Sequence, residues 1–252
     1  MSKIPDIKEG EKVYEAGSGS CDCAYCDSTG LCAFPKPTPT CIKAIFPQPT
    51  AKERDTICGH GDMTDTLRIL MMDMHNIRRA QLASGQLKYD GQSFPSATNM
   101  NRLIWSCALE KEAHDYLATC PKEAYKNPTC LGPMENFYRA TISGNSSTFK
   151  ETSKKILKQW WDVYQNYPNP GLSADYTASL IDTPVESYTR MAWAQTREIG
   201  CSIAKCGNEY LQSCRYRPNG NVINKPIYNV GHVCSECYTL GAGPCGSGGL
   251  CG

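Results

Sequence analysis

The sequence predicts a mixed α+β domain in the middle of the chain, flanked by two cysteine-rich ends. Three observations carry this expectation: three stretches with helical spacing of apolar residues, one stretch that alternates like a strand pair, and a cysteine distribution weighted to the termini. At 252 residues the chain is one large domain or two small ones. A chain of that length buries well over half of its extended surface.

The first helix is read from Leu67, Leu70, Met71, Met74 and Ile77, with Asp62 or Thr64 as N-cap and Gly85 as stop. Leu109, Ala113, Tyr116, Leu117 and Cys120 mark the second. Phe149, Ile156, Trp160 and Val163 mark the third, opened by the capping box Thr148-x-x-Glu151 and closed before Pro168. Residues 198–216 read as a hairpin. Ile199, Cys201 and Ile203 alternate on one face, and Gly207-Asn208 is a two-residue turn. That turn puts Cys201 opposite Cys214, within the span of a disulfide. Cys206 points to the other face and needs a partner outside the hairpin.

The chain holds 16 cysteines, six of them in residues 1–58 and four in residues 234–251. Only Cys23–Cys26 and Cys234–Cys237 have the tight spacing of a zinc site, and there are four histidines. A disulfide framework is favoured over zinc, which implies an oxidising compartment. The N-terminus has no apolar stretch, so a removed secretion signal is the expected resolution. Residues 1–57 carry six of the 16 prolines and no period, and read as a cross-linked hinge and linker. Residues 13–32 and 227–251 share an aromatic, Gly, Cys and Gly-Leu-Cys order. The repeat suggests a tandem parent, with convergence of two Gly/Cys loops as the alternative. The expected division is a hinge at 1–57, a domain at 58–231 and a Cys-rich extension at 232–252.

Lys+Arg and Asp+Glu number 26 and 25, so bulk charge gives no reason to expect nucleic acid as a partner. No apolar run reaches the ~18 residues of a membrane helix, so membrane insertion is not expected.

Four segments occur in a specific order: His75-Asn76-Ile77-Arg78, then Met134-Glu135-Asn136-Phe137, then Ser187-Tyr188-Thr189-Arg190-Met191-Ala192-Trp193 leading into Ile199-Gly200-Cys201, then Cys214-Arg215-Tyr216-Arg217-Pro218-Asn219-Gly220-Asn221. Together they resemble the CAP superfamily of cysteine-rich secretory, antigen 5 and pathogenesis-related 1 proteins. The Cys-x-x-Cys and Gly-Leu-Cys ending is similar to the activation-associated secreted, or venom allergen-like, proteins of parasitic nematodes, in particular the second domain of two-domain members. The resemblance implies a three-layer α-β-α sandwich with Cys-rich hinge extensions at both ends. It also implies bridges Cys201–Cys214 and Cys120–Cys206, with Cys58–Cys107 by similarity to the nematode members. Cys41 and Cys130 are left over as a pair.

Many members of that family hold a divalent cation between two histidines and two carboxylates. Here Glu135 is the one such group retained. Ser187 stands in place of one histidine and Val163 in place of the second carboxylate. No histidine lies between His114 and His232. Glu135 and Ser187 are therefore a cleft remnant, and neither metal nor cofactor is expected. Glu186 and Asp162 are the nearest substitutes. No Gly-x-Ser-x-Gly elbow is present, and an even cysteine count argues against a free nucleophilic thiol. His75 reads as structural, hydrogen-bonded between layers.

The resemblance implies a secreted, extracellular, non-enzymatic host-interaction protein that binds sterol or fatty acid. The alternatives are a protein-binding antagonist of a host receptor or immune factor, and a degenerate metal-dependent hydrolase. Trp161, Tyr164 and Tyr167, ahead of Pro168-Asn169-Pro170-Gly171, read either as core and its rim or, as the resemblance implies, as lipid-binding rings presented on a loop. The Met-rich first helix, with Met63, Met71, Met72 and Met74, reads either as core or as the lining of a fatty-acid groove. Asn145-Ser146-Ser147 is the one usable glycosylation sequon.

Overall fold

The computed structural model describes residues 43–48, 54–59, 63–125, 135–141, 148–166, 175–239 and 241–252. In chain order these form β1 (Ala44–Ile45), α1 (Asp65–Ala83), β2 (Lys88–Tyr89), β3 (Gln92–Ser93), β4 (Ile104–Trp105), α2 (Cys107–Ala118), β5 (Glu135–Thr141), α3 (Phe149–Asp162), β6 (Asp175–Tyr176), α4 (Glu186–Ala192), β7 (Glu198–Cys206), β8 (Glu209–Arg217) and β9 (Lys225–Pro226). Tyr167, the 168–171 loop, Asn145, and the Cys41 and Cys130 pair lie outside the described residues.

Thr64 is the N-cap of α1, and its side chain accepts a bond from the Leu67 amide at 3.3 Å. The helix ends at Ala83, two residues ahead of Gly85, whose φ of +70° suits a residue without Cβ. Its buried face differs from the apolar stripe of the sequence. Ile77 is 58% exposed, whereas Arg68, His75, Asn76 and Arg79 are buried beside Leu67, Met71 and Leu82. Apolar spacing misplaces the face because the inward polar side chains find partners in other layers. Met63 and Met71 are core, and Met72 and Met74 are partly buried against it.

At α3, Thr148 accepts from the Glu151 amide at 3.2 Å. The Glu151 carboxylate bonds Lys154 instead of reaching back, so half of the capping box forms. Past Asp162 the chain continues in a 3-10 turn over Val163–Asn166.

The nine-residue strands β7 and β8 pair around the Gly207-Asn208 turn, with Cys201 opposite Cys214. Antiparallel β5 extends the sheet beyond β8, while β1 and parallel β4 share the outer edge of β7. Side chains alternate between two cores. Ile199, Cys201, Ile203, Cys214 and Tyr216 face α1, α3 and α4. Ala204, Cys206 and Leu211 face Leu117 of α2. The result is the α-β-α sandwich, with α2 alone on one side.

Bridges tie the layers. Cys201–Cys214 crosses the hairpin, Cys120–Cys206 joins the end of α2 to β7, and Cys58–Cys107 joins the segment ahead of α1 to the start of α2. Cys234–Cys245 and Cys237–Cys251 close the C-terminal extension. That extension is fastened to the domain: Cys251 exchanges backbone bonds with Met100 and Arg102, and Leu250 enters the main core. The sheet also begins upstream of residue 58, because Ala44 and Ile45 pair with Cys206 and Lys205. Asp55 pairs with the buried Arg68 at 2.5 Å, which anchors the same segment.

Two layers approach each other closely at Gly200. A Cβ there would lie 2.2 Å from the Glu110 nitrogen and 2.5 Å from Leu109, both in α2. Because the obstacle is backbone, α2 must retreat to admit a methyl group. Gly200→Ala is expected to cost about 3 kcal/mol, read from the urea midpoint. An unchanged midpoint would contradict the packing.

Candidate binding cleft

The cleft is positioned by one turn of α1. His75 Nδ1 lies 2.7 Å from Met71 O, so this nitrogen carries the proton and donates. Nε2 then accepts from the Tyr216 hydroxyl at 3.0 Å. Asn76 makes a two-way bond with Leu103, through its amide to Leu103 O and from Leu103 N, at 3.0 and 2.8 Å. Arg79, wholly buried, faces no carboxylate among its bonds. It donates instead to the carbonyls of Asn101, Met191, Trp193, Ala194 and Thr196. Burial draws its pKa down to about 9, so the group stays protonated at neutral pH. These bonds fix the backbone that leaves α4.

The Tyr216 hydroxyl also accepts from Asn136 Nδ2 at 3.2 Å. Asn136 Nδ2 donates to Ser187 O at 2.9 Å, and Asn136 Oδ1 accepts from Arg190 Nη1 at 2.7 Å. An unbroken set of bonds thus runs from α1 through β8 and β5 to α4. Between β5, the end of α3 and α4 lies an open cavity of about 310 Å³. Glu135, Asn136, Trp160, Glu186, Ser187 and Arg190 are among its lining.

Each polar group the sequence singled out here has a protein partner. The Glu135 carboxylate accepts from the Ser213 hydroxyl, from the Tyr125 amide at 2.7 Å and from Arg215 Nε at 3.3 Å. The Ser187 hydroxyl lies 2.9 Å from both Trp160 O and Pro184 O. Glu186 accepts from the Tyr176 hydroxyl at 2.5 Å, and Asp162 pairs with Lys158. The residues present do not fit a divalent cation: two carboxylates, one bound by an arginine and one by a tyrosine hydroxyl, one serine hydroxyl donating to backbone, and a guanidinium in the wall. Among the described residues, the one group of potential ligands close enough for a metal is Cys234, Cys237 and Cys251. All three are in disulfides.

The aromatic residues follow the core reading rather than the loop. Trp161 and Tyr164 are 3% and 5% exposed and belong to the core, not to a loop. The Trp161 ring stands 4.9 Å from that of Tyr188, and Tyr164 packs edge-on to Phe94 at 5.6 Å. The cause is that α3 and its 3-10 turn carry the helical path through both positions. Arg190 lies in the Ser187–Trp193 motif, which by itself assigns it no role. Its signal was a charge inside the otherwise uncharged run from Ser187 to Trp193.

The family model for the cysteine-rich secretory protein (CAP) family matches residues 72–216. The Ancylostoma secreted protein of Ancylostoma caninum is 28% identical over 195 residues, covering 75% of this chain and 45% of its own length. The chain therefore spans less than half of that relative. The structure of BmVAL-1 superposes with a TM-score of 0.69 at 30% identity, covering 77% of this chain and 97% of that one. The crystal structure of NaASP2 with Zn²⁺ has a TM-score of 0.66 at 28% identity, covering 77% and 100%. Zinc is thus a property of that protein's crystal, and the donors in this cleft differ in kind from a zinc set.

Burial draws the His75 pKa down to about 3, against the opposing effect of its bond to Met71. The unfolded chain would protonate this residue near pH 6.5 and the folded one near 3, so the unfolded state binds more protons in between. Stability from this group is complete above about pH 6.5 and is lost as pH falls towards 3. Unfolding free energy between pH 4.5 and 6.5 is expected to fall with acid more steeply in the native protein than in His75→Gln, by up to one proton's worth. Equal slopes in urea titrations would contradict a neutral, buried His75.

Proposed function

Because the chain belongs to the cysteine-rich secretory protein (CAP) family, we propose that it is an extracellular, non-enzymatic binding protein that acts on host molecules. One observation carries this reading: the carboxylates and the hydroxyl of the cleft are each held by a protein partner. Glu135, Glu186 and Ser187 are thus not left free as a general base, a nucleophile or a metal ligand. Five disulfides among the described residues suit an oxidising compartment. The name of the Ancylostoma caninum relative, a secreted protein, supports the same location. No helix among the described residues is long and apolar enough to cross a membrane.

The partner class that fits best is a host protein, with sterol or fatty acid as the second reading. Lipid bound near residues 161–171 would need surfaces other than the Trp161 and Tyr164 rings, which Tyr188 and Phe94 already cover. Met72 and Met74, half-buried on α1, leave a lipid groove along that helix as the better location.

The test is a zinc titration joined to an ester and peptide hydrolysis assay. The chelator-treated protein is expected to show no one-to-one Zn²⁺ site tighter than about 1 μM, and no turnover with or without zinc. A sub-micromolar site abolished by Glu135→Ala, or zinc-dependent hydrolysis, would sink this reading.

A further inference from the structure

Arg190 is the charged group of the cleft whose bonds are incomplete. Three other arginines show what the Nε–Nη2 edge of a guanidinium takes in this fold. Arg68 gives both atoms to Glu110, at 2.7 and 2.6 Å. Arg139 gives both to Glu209, at 3.0 and 2.5 Å. Arg79 gives both to Asn101 O, at 3.0 and 2.8 Å. At Arg190, Nη1 is used by Asn136 Oδ1 at 2.7 Å and Glu135 O at 3.3 Å. Its Nε is buried without a partner. Its Nη2 has Glu186 Oε1 at 3.9 Å, beyond hydrogen-bond distance. The residue is 3% exposed and stands in the wall of the 310 Å³ cavity.

We infer that the unpartnered Nε–Nη2 edge of Arg190 is the recognition element of the cleft, and that it takes a carboxylate, which meets Nη2 first because Nε is covered by protein. This deepens the binding reading above and rests on it. A buried guanidinium with two unsatisfied donors on one edge is costly, and a carboxylate satisfies both with parallel bonds. Nη1 is already tied to β5, so the fork is held in one orientation and its edge is preorganised. Glu186 does not fill the edge. Its carboxylate accepts from Tyr176, and swinging away would strand that buried hydroxyl. Of the other acid in the lining, Glu135, the charge is faced by Arg215 at 3.3 Å. Trp160 and Phe137 supply apolar wall for the group that carries the carboxylate. Glu186 opposes an incoming anion, and it sets the direction of the most useful variant.

A carboxylate of this kind comes from the C-terminus of a peptide or from a fatty acid, and the experiment separates them. The intact disulfide-bonded protein, labelled with ¹⁵N, is observed at its arginine Nε–Hε signals. The probes are acetate, a pentapeptide as free acid and as amide, and octanoate and its methyl ester. The Arg190 signal, assigned by its loss in Arg190→Lys, is expected to move downfield with acetate and with the free acids only. A response to the peptide acid or to octanoate alone names the source, and a response to both supports the shared chemistry. Arg190→Lys keeps the charge without the fork and is expected to weaken binding about tenfold or more. Glu186→Gln removes the opposing charge and is expected to strengthen it severalfold. That variant carries the test if Arg190→Lys fails to fold. An Arg190 signal that ignores all probes, equal binding of amide and acid, or unchanged or weaker affinity in Glu186→Gln would overturn the inference. Zinc binding or hydrolysis would sink the functional reading while leaving this titration unaffected.

Discussion

A guanidinium buried without a counter-charge organises this fold. Arg79 is placed by α1 at the junction of two chain segments, and its bonds go to backbone carbonyls at 101 and at 191–196. Carbonyls in irregular backbone need donors once they are buried. A planar group with five N–H donors meets that need from a single residue. The loop after α4 is therefore shaped by α1, even though more than a hundred residues separate them. The fixed loop in turn presents Trp193, against which the backbone at Gly220 packs so closely that a Cβ would sit 2.7 Å from the ring.

The neighbouring residues of the same turn extend that control to the cleft. His75 orients Tyr216, Tyr216 receives Asn136, and Asn136 holds both Ser187 O and Arg190. From His75 to Asn136 each acceptor and donor in this path is matched, which gives the ring nitrogens of His75 unambiguous roles. The cleft is thereby given shape by fixed hydrogen bonds, with a protein cation at its wall. Two carboxylates nearby are neutralised or capped by Arg215 and Tyr176. A site built this way is suited to recognising a polar group, since its donors are rigid and partly stripped of water.

The hairpin was legible because three local signals agree there: alternation, a two-residue turn and a cysteine on each strand. The start of α1 was legible from Thr64, and the CAP family from four ordered segments. The inward face of α1 was not. Apolar spacing selects Ile77, yet the buried positions are polar residues whose partners lie in distant segments. Of the two readings of Trp161 and Tyr164, the loop failed for a related reason. Pro168 marks where the helical path must stop, but it does not say which rings the path has already buried. β1 was invisible because a two-residue strand has no period. In the cleft, the sequence marked Glu135 as the retained group of a metal site and Ser187 as the replacement of one histidine. It could not show that Ser213, Arg215 and backbone carbonyls engage them, or that Arg190 stands beside them with one edge unpartnered.

If Arg79 is the organising contact, its loss must be felt first in the segments whose carbonyls it binds. Native-state hydrogen exchange of Arg79→Lys, compared with the native protein, tests this most directly. Lysine keeps the charge but cannot reach five carbonyls. The account predicts that protection falls selectively at the amides of Asn101, Ala194 and Thr196, while the amides of the β7–β8 hairpin keep most of theirs. Protection unchanged at those three amides, or lowered equally across the hairpin, would contradict it.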